Sequence, residues 1–124
     1  MSKYFIFAGS ISAFLAVALG AFGAHTLKSK LTQDMMEVYQ TGVQYHLIHA
    51  LGLILIGIIA HWLVDSSLIN WAGGMILGGT IVFSGSLYLL SITEIRAFGA
   101  VTPIGGLAFL AGWILLAYAT FRNL

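Results

Sequence analysis

Four histidines, in a chain that has no cysteine, are the only residues whose type and spacing suggest chemistry. His46 and His49 stand three apart, so on a helix they occupy neighbouring positions of one face. Imidazoles so placed can be metal ligands, with His25 as a third, or members of a proton path with Gln44 and Tyr45. They can also serve structure alone, hydrogen-bonding across helices together with Gln40, Thr41, Gln44, Tyr45, Ser84 and Ser86. The structural role is the reading favoured here. A bare His-x-x-His selects no particular metal, and no carboxylate pair lies nearby to complete a di-iron set. His61 would sit about 18 Å beyond His49 on the same helix, so one ion could not join all four rings.

Other catalytic constellations are scarce. The acidic residues Asp34, Glu37, Asp65 and Glu94 all fall near expected helix ends, where caps and solvated charges belong. Gly105-Gly106 after Pro103 matches neither a phosphate loop nor a dinucleotide fingerprint. The absence of cysteine removes disulfides, thiolate metal sites and Cys nucleophiles. A net charge of +1 gives no footing for nucleic acid. No catalytic residue and no cofactor is expected, and an enzyme is the less favoured class.

The elements that must position these residues follow from composition. Of 124 residues, 60% are apolar and only 7% charged, against about 25% charged in a soluble domain. Such a chain cannot cover a water-facing surface, whereas lipid removes that demand. The expectation is an all-α integral membrane four-helix bundle forming one domain over 1–124, with spans at about 4–24, 38–64, 68–92 and 103–121. The first stretch is too long for a signal-peptide core and is followed by three more, so it reads as a span. Thr32 or Asp34 is the candidate N-cap of the second helix. That helix opens with a polar half that is costly against acyl chains, which places it at the interface or against neighbouring helices. Asp65-Ser-Ser supplies a tight turn, and Pro103 suits the first turn of the fourth helix. Trp62, Trp71, Tyr4 and Tyr118 fall near span ends as interfacial anchors, while Tyr88 and Trp113 fall inside and should be packed.

Association of such helices relies on small residues that let backbones approach. Gly9, Ala13, Ala16, Gly20 and Gly23 alternate steps of four and three, tracing one seam along the first helix. The third helix carries Gly74-x-x-x-Gly78, and the fourth has Gly105, Ala108 and Gly112. These are the expected packing positions.

Four stretches carry a resemblance: Gly20-Ala-Phe-Gly-Ala-His25, the run from Tyr39 to Gly52, Phe83-Ser-Gly-Ser-Leu-Tyr88, and the run from Thr102 to Trp113. In that order, over nearly the whole chain, they resemble the YgdD/YwdK-like family of small membrane proteins. That family is similar to human transmembrane protein 256 and is classed as a domain of unknown function. The resemblance implies four membrane helices and no defined reaction. It nominates His25, Gln40, Gln44, Tyr45, His46, His49, Ser84, Ser86 and Pro103 as motif members. Gln40 and Gln44 stand where some relatives carry charged residues, which removes a charged pair from any mechanism here.

The favoured function is a non-enzymatic protein of the bacterial inner membrane that binds lipid or a small apolar ligand, or stabilises a membrane partner. A small oligomeric transporter or channel and a histidine-ligated metal or haem protein are the alternatives. Membrane lipids, a second copy or another membrane protein are the partners envisaged. Four spans put both termini on one side. Lys3 and Arg122 there face Lys28, Lys30 and Arg96 opposite, a difference of one, and the basic tails of relatives lead to cytoplasmic termini as the expectation.

Overall fold

The computed structural model describes residues 1–124 as four long helices. They are α1 (Ser2–His25), α2 (Gln33–Trp62), α3 (Ser67–Thr93) and α4 (Arg96–Asn123), with a single 3-10 turn at Leu27–Ser29. Each is long and apolar enough to cross a membrane. The molecule is an all-α, four-span membrane bundle.

Local chemistry sets the helix ends. The Thr32 side chain accepts the Met35 N–H at 3.2 Å, capping α2, and Asp34 in the first turn complements the helix dipole. The α3–α4 connection is only Glu94 and Ile95. Glu94 takes a left-handed conformation, φ 58°, which a non-glycine residue adopts at a cost of about 1 kcal/mol. The Thr93 hydroxyl steadies this corner by accepting the Ile95 N–H at 3.2 Å.

This short corner corrects the expected start of α4. The helix begins at Arg96, and Pro103 lies inside it rather than in its first turn. An interior proline deletes the bond its N–H would make to the Gly99 carbonyl. Membrane helices accept such a break because neighbouring groups and local adjustments take up the freed carbonyl.

Helices pack in chain order, α1 on α2, α2 on α3 and α3 on α4. In the apolar windows of α2 and α3, 44% and 39% of residues are buried, against 17% in α1 and in α4, so the middle pair forms the core and the outer two flank it. Phe5, Leu53, Ile56, Ile69, Ile76 and Phe109 make the apolar centre.

Small residues set the helix spacing, though not all of those expected. Ala16 is fully buried and Ala13 half-buried. A Cβ added to Gly9 would fall 2.9 Å from the Ala50 carbonyl oxygen, one at Gly20 would press Val43, and one at Gly23 would strike the Tyr39 ring. Between α3 and α4, a Cβ at Gly105 would lie 2.5 Å from the Phe83 amide nitrogen, and one at Gly112 would meet Ile76. Packing at Gly74 and Gly78 is corrected. A Cβ at either would have nothing within 4 Å, and the close approaches belong to Gly73, against Phe5, and Gly79, against Phe109. The glycine pair spaced by four lies on the face of α3 turned away from its neighbours.

Candidate functional site: two grooves with a histidine each

His46 and His49 share a helix but not an environment. Three residues advance a helix by about 300°, so the two side chains diverge by some 60° and meet different neighbours. The His46 ring lies between two hydroxyls, Nδ1 at 2.9 Å from Tyr88 Oη of α3 and Nε2 at 3.0 Å from Ser12 Oγ of α1. His49 turns toward α4, where its Nε2 accepts the Trp113 indole N–H at 3.0 Å and its Nδ1 lies 2.8 Å from the Tyr45 carbonyl oxygen.

The His49 contacts fix a proton. An indole N–H only donates and a carbonyl only accepts, so Nε2 carries a lone pair and Nδ1 carries the hydrogen. His49 is therefore a neutral imidazole in a single tautomer. Its ring stacks on Phe109, centroids 3.5 Å apart and 12° from parallel. Both rings are buried, and all four ring nitrogens have partners within the protein.

Each histidine sits in a groove of its own. Phe7, Ile11 and Leu15 of α1 face Leu77 and Ile81 of α3 across a cavity of about 480 Å³, with His46, Ser12, Ser84 and Tyr88 as its polar floor. On the other side, Tyr45 and His49 face Leu107, Leu110 and Trp113 across a cavity of about 590 Å³. His46 is about 20 and 24 Å from the two ends of α2, and Ser12 about 15 and 20 Å from those of α1. His46 and Ser12 thus lie near the middle of their helices, and Tyr88, whose backbone is about 8 Å from the end of α3, reaches them with its hydroxyl. Free-standing polar groups at that depth are expensive.

The remaining hydrogen bonds tie helix to helix. Tyr39 donates to the Leu19 carbonyl at 2.5 Å, joining α2 to α1 in the space that Gly23 leaves open. Ser84 donates to the Gly42 carbonyl at 2.8 Å, joining α3 to α2. Ser86 lies 2.5 Å from Thr102 of α4 and also donates to its own helix at Phe83.

Against the sequence reading, the structure brings His46, His49, Ser84 and Ser86 into cross-helix bonds and leaves other candidates out. Gln40, Thr41 and Gln44 are exposed, and Thr41 bonds only the Glu37 carbonyl one turn back. Tyr45 contributes its carbonyl and its ring rather than its hydroxyl. His25 ends α1 on the surface, far along the helix from Ser12, so it does not join the other two imidazoles. The two imidazoles address different helices with their nitrogens engaged, and no three potential ligands gather anywhere in the chain, so this arrangement lends no support to a metal shared by His46 and His49. Sequence reasoning missed Ser12, Tyr88, Trp113 and Thr102 as partners. Tyr88 and Trp113 carried a signal, being polar-tipped aromatics in mid-span, where the phenol or indole hydrogen needs an acceptor.

Comparison with known proteins agrees with this architecture. A family model described as "Protein of unknown function (DUF423)" matches residues 19–106. The chain belongs to the DUF423 family. This DUF423 protein is 47% identical over 122 residues to the UPF0382 membrane protein YwdK of Bacillus subtilis, covering 98% of this chain and 99% of that one. It is 48% identical over 120 residues to a UPF0382 membrane protein of Staphylococcus haemolyticus, covering 97% of each. A Staphylococcus aureus relative is 45% identical over 120 residues, again 97% of each chain. No solved structure matches. Being a DUF423 protein of the UPF0382 kind, the chain is a multi-pass bacterial membrane protein.

Proposed function

We propose that this protein is a non-enzymatic membrane component that binds a lipid or small apolar ligand in the groove between α1 and α3, while its polar cluster locks the helices together. The observation behind this reading is the groove itself, with apolar walls, a few convergent polar groups at the floor, and about 480 Å³ of space. Small-molecule sites have that character and run from roughly 300 to 1,000 Å³. Gly85 provides the test, because it lines the groove and a Cβ there would have nothing within 4 Å. Gly85→Leu should fill the cavity while leaving the melting temperature near wild type. Protein extracted directly into native-membrane discs should carry an apolar molecule, visible by mass spectrometry, that Gly85→Leu carries at a small fraction of the wild-type amount. Equal small-molecule content in the two preparations would refute the binding role.

In this reading both termini lie in the cytoplasm. Because the chain has no cysteine, one appended after Leu124 reports without background. Intact cells should leave it unlabelled by an impermeant thiol reagent and opened cells should label it. Labelling in intact cells would reverse the orientation.

A further inference from the structure

Packing on α1 and α3 leaves one side of α2 uncovered, and that side is not uniformly apolar. Gln40 and Gln44 lie on it, exposed and without a hydrogen bond to any other residue, beside a crevice that Gly20 and Ala24 of α1 also line. Gln40 is close enough to the helix end for headgroup water. Gln44 is not: Val43 faces Gly20 and Gly42 faces Tyr88, each five residues before its own helix ends. By the rise per residue, Gln44 lies about 9 Å inside the α1 corner and about 10 Å inside the α3–α4 corner. No other helix turns a side-chain amide outward at such depth.

A hydroxyl at this place would be satisfied by its own backbone, as Ser10 is by the Ile6 carbonyl. An amide would not. It carries two N–H hydrogens and an acceptor oxygen, and the interior of a helix has no spare N–H to give that oxygen. Lipid tails offer neither donor nor acceptor, so the partner of Gln44 must come from another polypeptide.

We propose that this face of α2 docks a second copy of the chain, in a parallel two-fold dimer closed by reciprocal Gln44 amide bonds. Copies inserted the same way are related by an axis along the membrane normal, so a residue near the axis meets itself. A carboxamide suits that position because it donates and accepts at once. Each Gln44 N–H reaches the amide oxygen of the partner's Gln44, and both oxygens are satisfied. The contact continues along the helix. Ile48, Leu51, Leu55, Ile58 and Trp62 are all exposed and follow Gln44 at steps of four, three, four, three and four, the spacing of a left-handed helix pair. No charged residue interrupts this seam, so identical copies bring no like charges together in the hydrocarbon. Glu37, one heptad outward, lies beyond the α1 corner among headgroups. The seam is half a turn round α2 from His46, so the dimer leaves the α1–α3 groove open and does not depend on its occupant.

The lack of cysteine makes the test clean. Full-length Leu51→Cys, oxidised in native membranes, should give a disulfide-linked dimer as its main product, whereas Ile114→Cys, equally lipid-exposed on α4, should stay monomeric. Protein labelled at a cysteine after Leu124 and placed in liposomes should bleach in two steps, with single steps taking over as lipid is added. Gln44→Leu should weaken the dimer about tenfold, in keeping with hydrogen bonds between membrane helices, and Gln44→Asn should restore much of the loss. Single-step bleaching at every lipid ratio, three or more steps, equal cross-linking at positions 51 and 114, or a Gln44→Leu dimer as tight as wild type would each overturn the proposal.

Discussion

Gly105→Ala should destabilise the protein by about 3 kcal/mol, a large effect for one methyl group. Overpacking a well-filled interior costs about 1–3 kcal/mol when side chains can yield. Here the new carbon would lie 2.5 Å from the Phe83 amide nitrogen and 2.7 Å from its Cα, so a backbone must move, and with it the whole α3–α4 contact. Gly78→Ala is the control. Its Cβ meets nothing within 4 Å, and alanine is the better helix former by up to about 1 kcal/mol, so stability should hold or rise slightly. The comparison is read from unfolding curves in mixed detergent micelles, both variants beside the wild type. Equal loss at the two positions would mean that Gly78 also faces a packed surface, and no loss at Gly105 would mean that α3 and α4 are not held by close backbone approach.

Removing the Trp113 ring should come next in size. Trp113 lies over Gly52, where an added Cβ would fall 2.9 Å from the indole, and it supplies the N–H that His49 accepts. Trp113→Ala should cost about 3 kcal/mol, the low end for a large aromatic because 37% of its surface is exposed. Trp113→Phe separates packing from hydrogen bonding. It keeps most of the ring and should cost about 1 kcal/mol, in keeping with hydrogen bonds measured between membrane helices. In a double-mutant cycle with His49→Leu, that 1 kcal/mol should disappear, because the donor then has no acceptor to lose. Full additivity would show that the indole and imidazole do not interact.

The spans were legible in the sequence because hydrocarbon solvation is an average over some 20 residues and needs no knowledge of partners. The seam of α1 was legible for a related reason: a long run of small residues at three-four spacing has one face only. Gly74 and Gly78 show where this stops. Spacing by four marks a face but does not say which face meets a neighbour, and Gly73 and Gly79, which do the packing, form no recognised pattern. Pro103 misled because a rule about first turns says nothing of interior prolines that membrane helices accommodate.

At the candidate site, residue type revealed which groups need partners and not who those partners are. His46 and His49 were visible as buried polar groups, while Tyr88 and Trp113 lie 42 and 64 residues further along the chain. Ser12 was invisible because a mid-helix serine ordinarily satisfies itself on its own backbone, as Ser10 does. Gln40 and Gln44 look equally polar on paper, yet they fall on the outward side of α2. One turn of helix separates a lock from a surface residue.

Neighbouring helices, rather than metal or water, hold the buried imidazoles in this bundle. Solid-state nitrogen-15 spectra of histidine-labelled protein in bilayers, assigned with His46→Leu and His49→Leu, measure this directly. His49 should give one neutral form, protonated on Nδ1 and bare on Nε2, with the Nε2 signal moving when Trp113 is replaced by Phe. An Nε2-protonated or doubly protonated His49, or an Nε2 resonance indifferent to the loss of the indole, would contradict it.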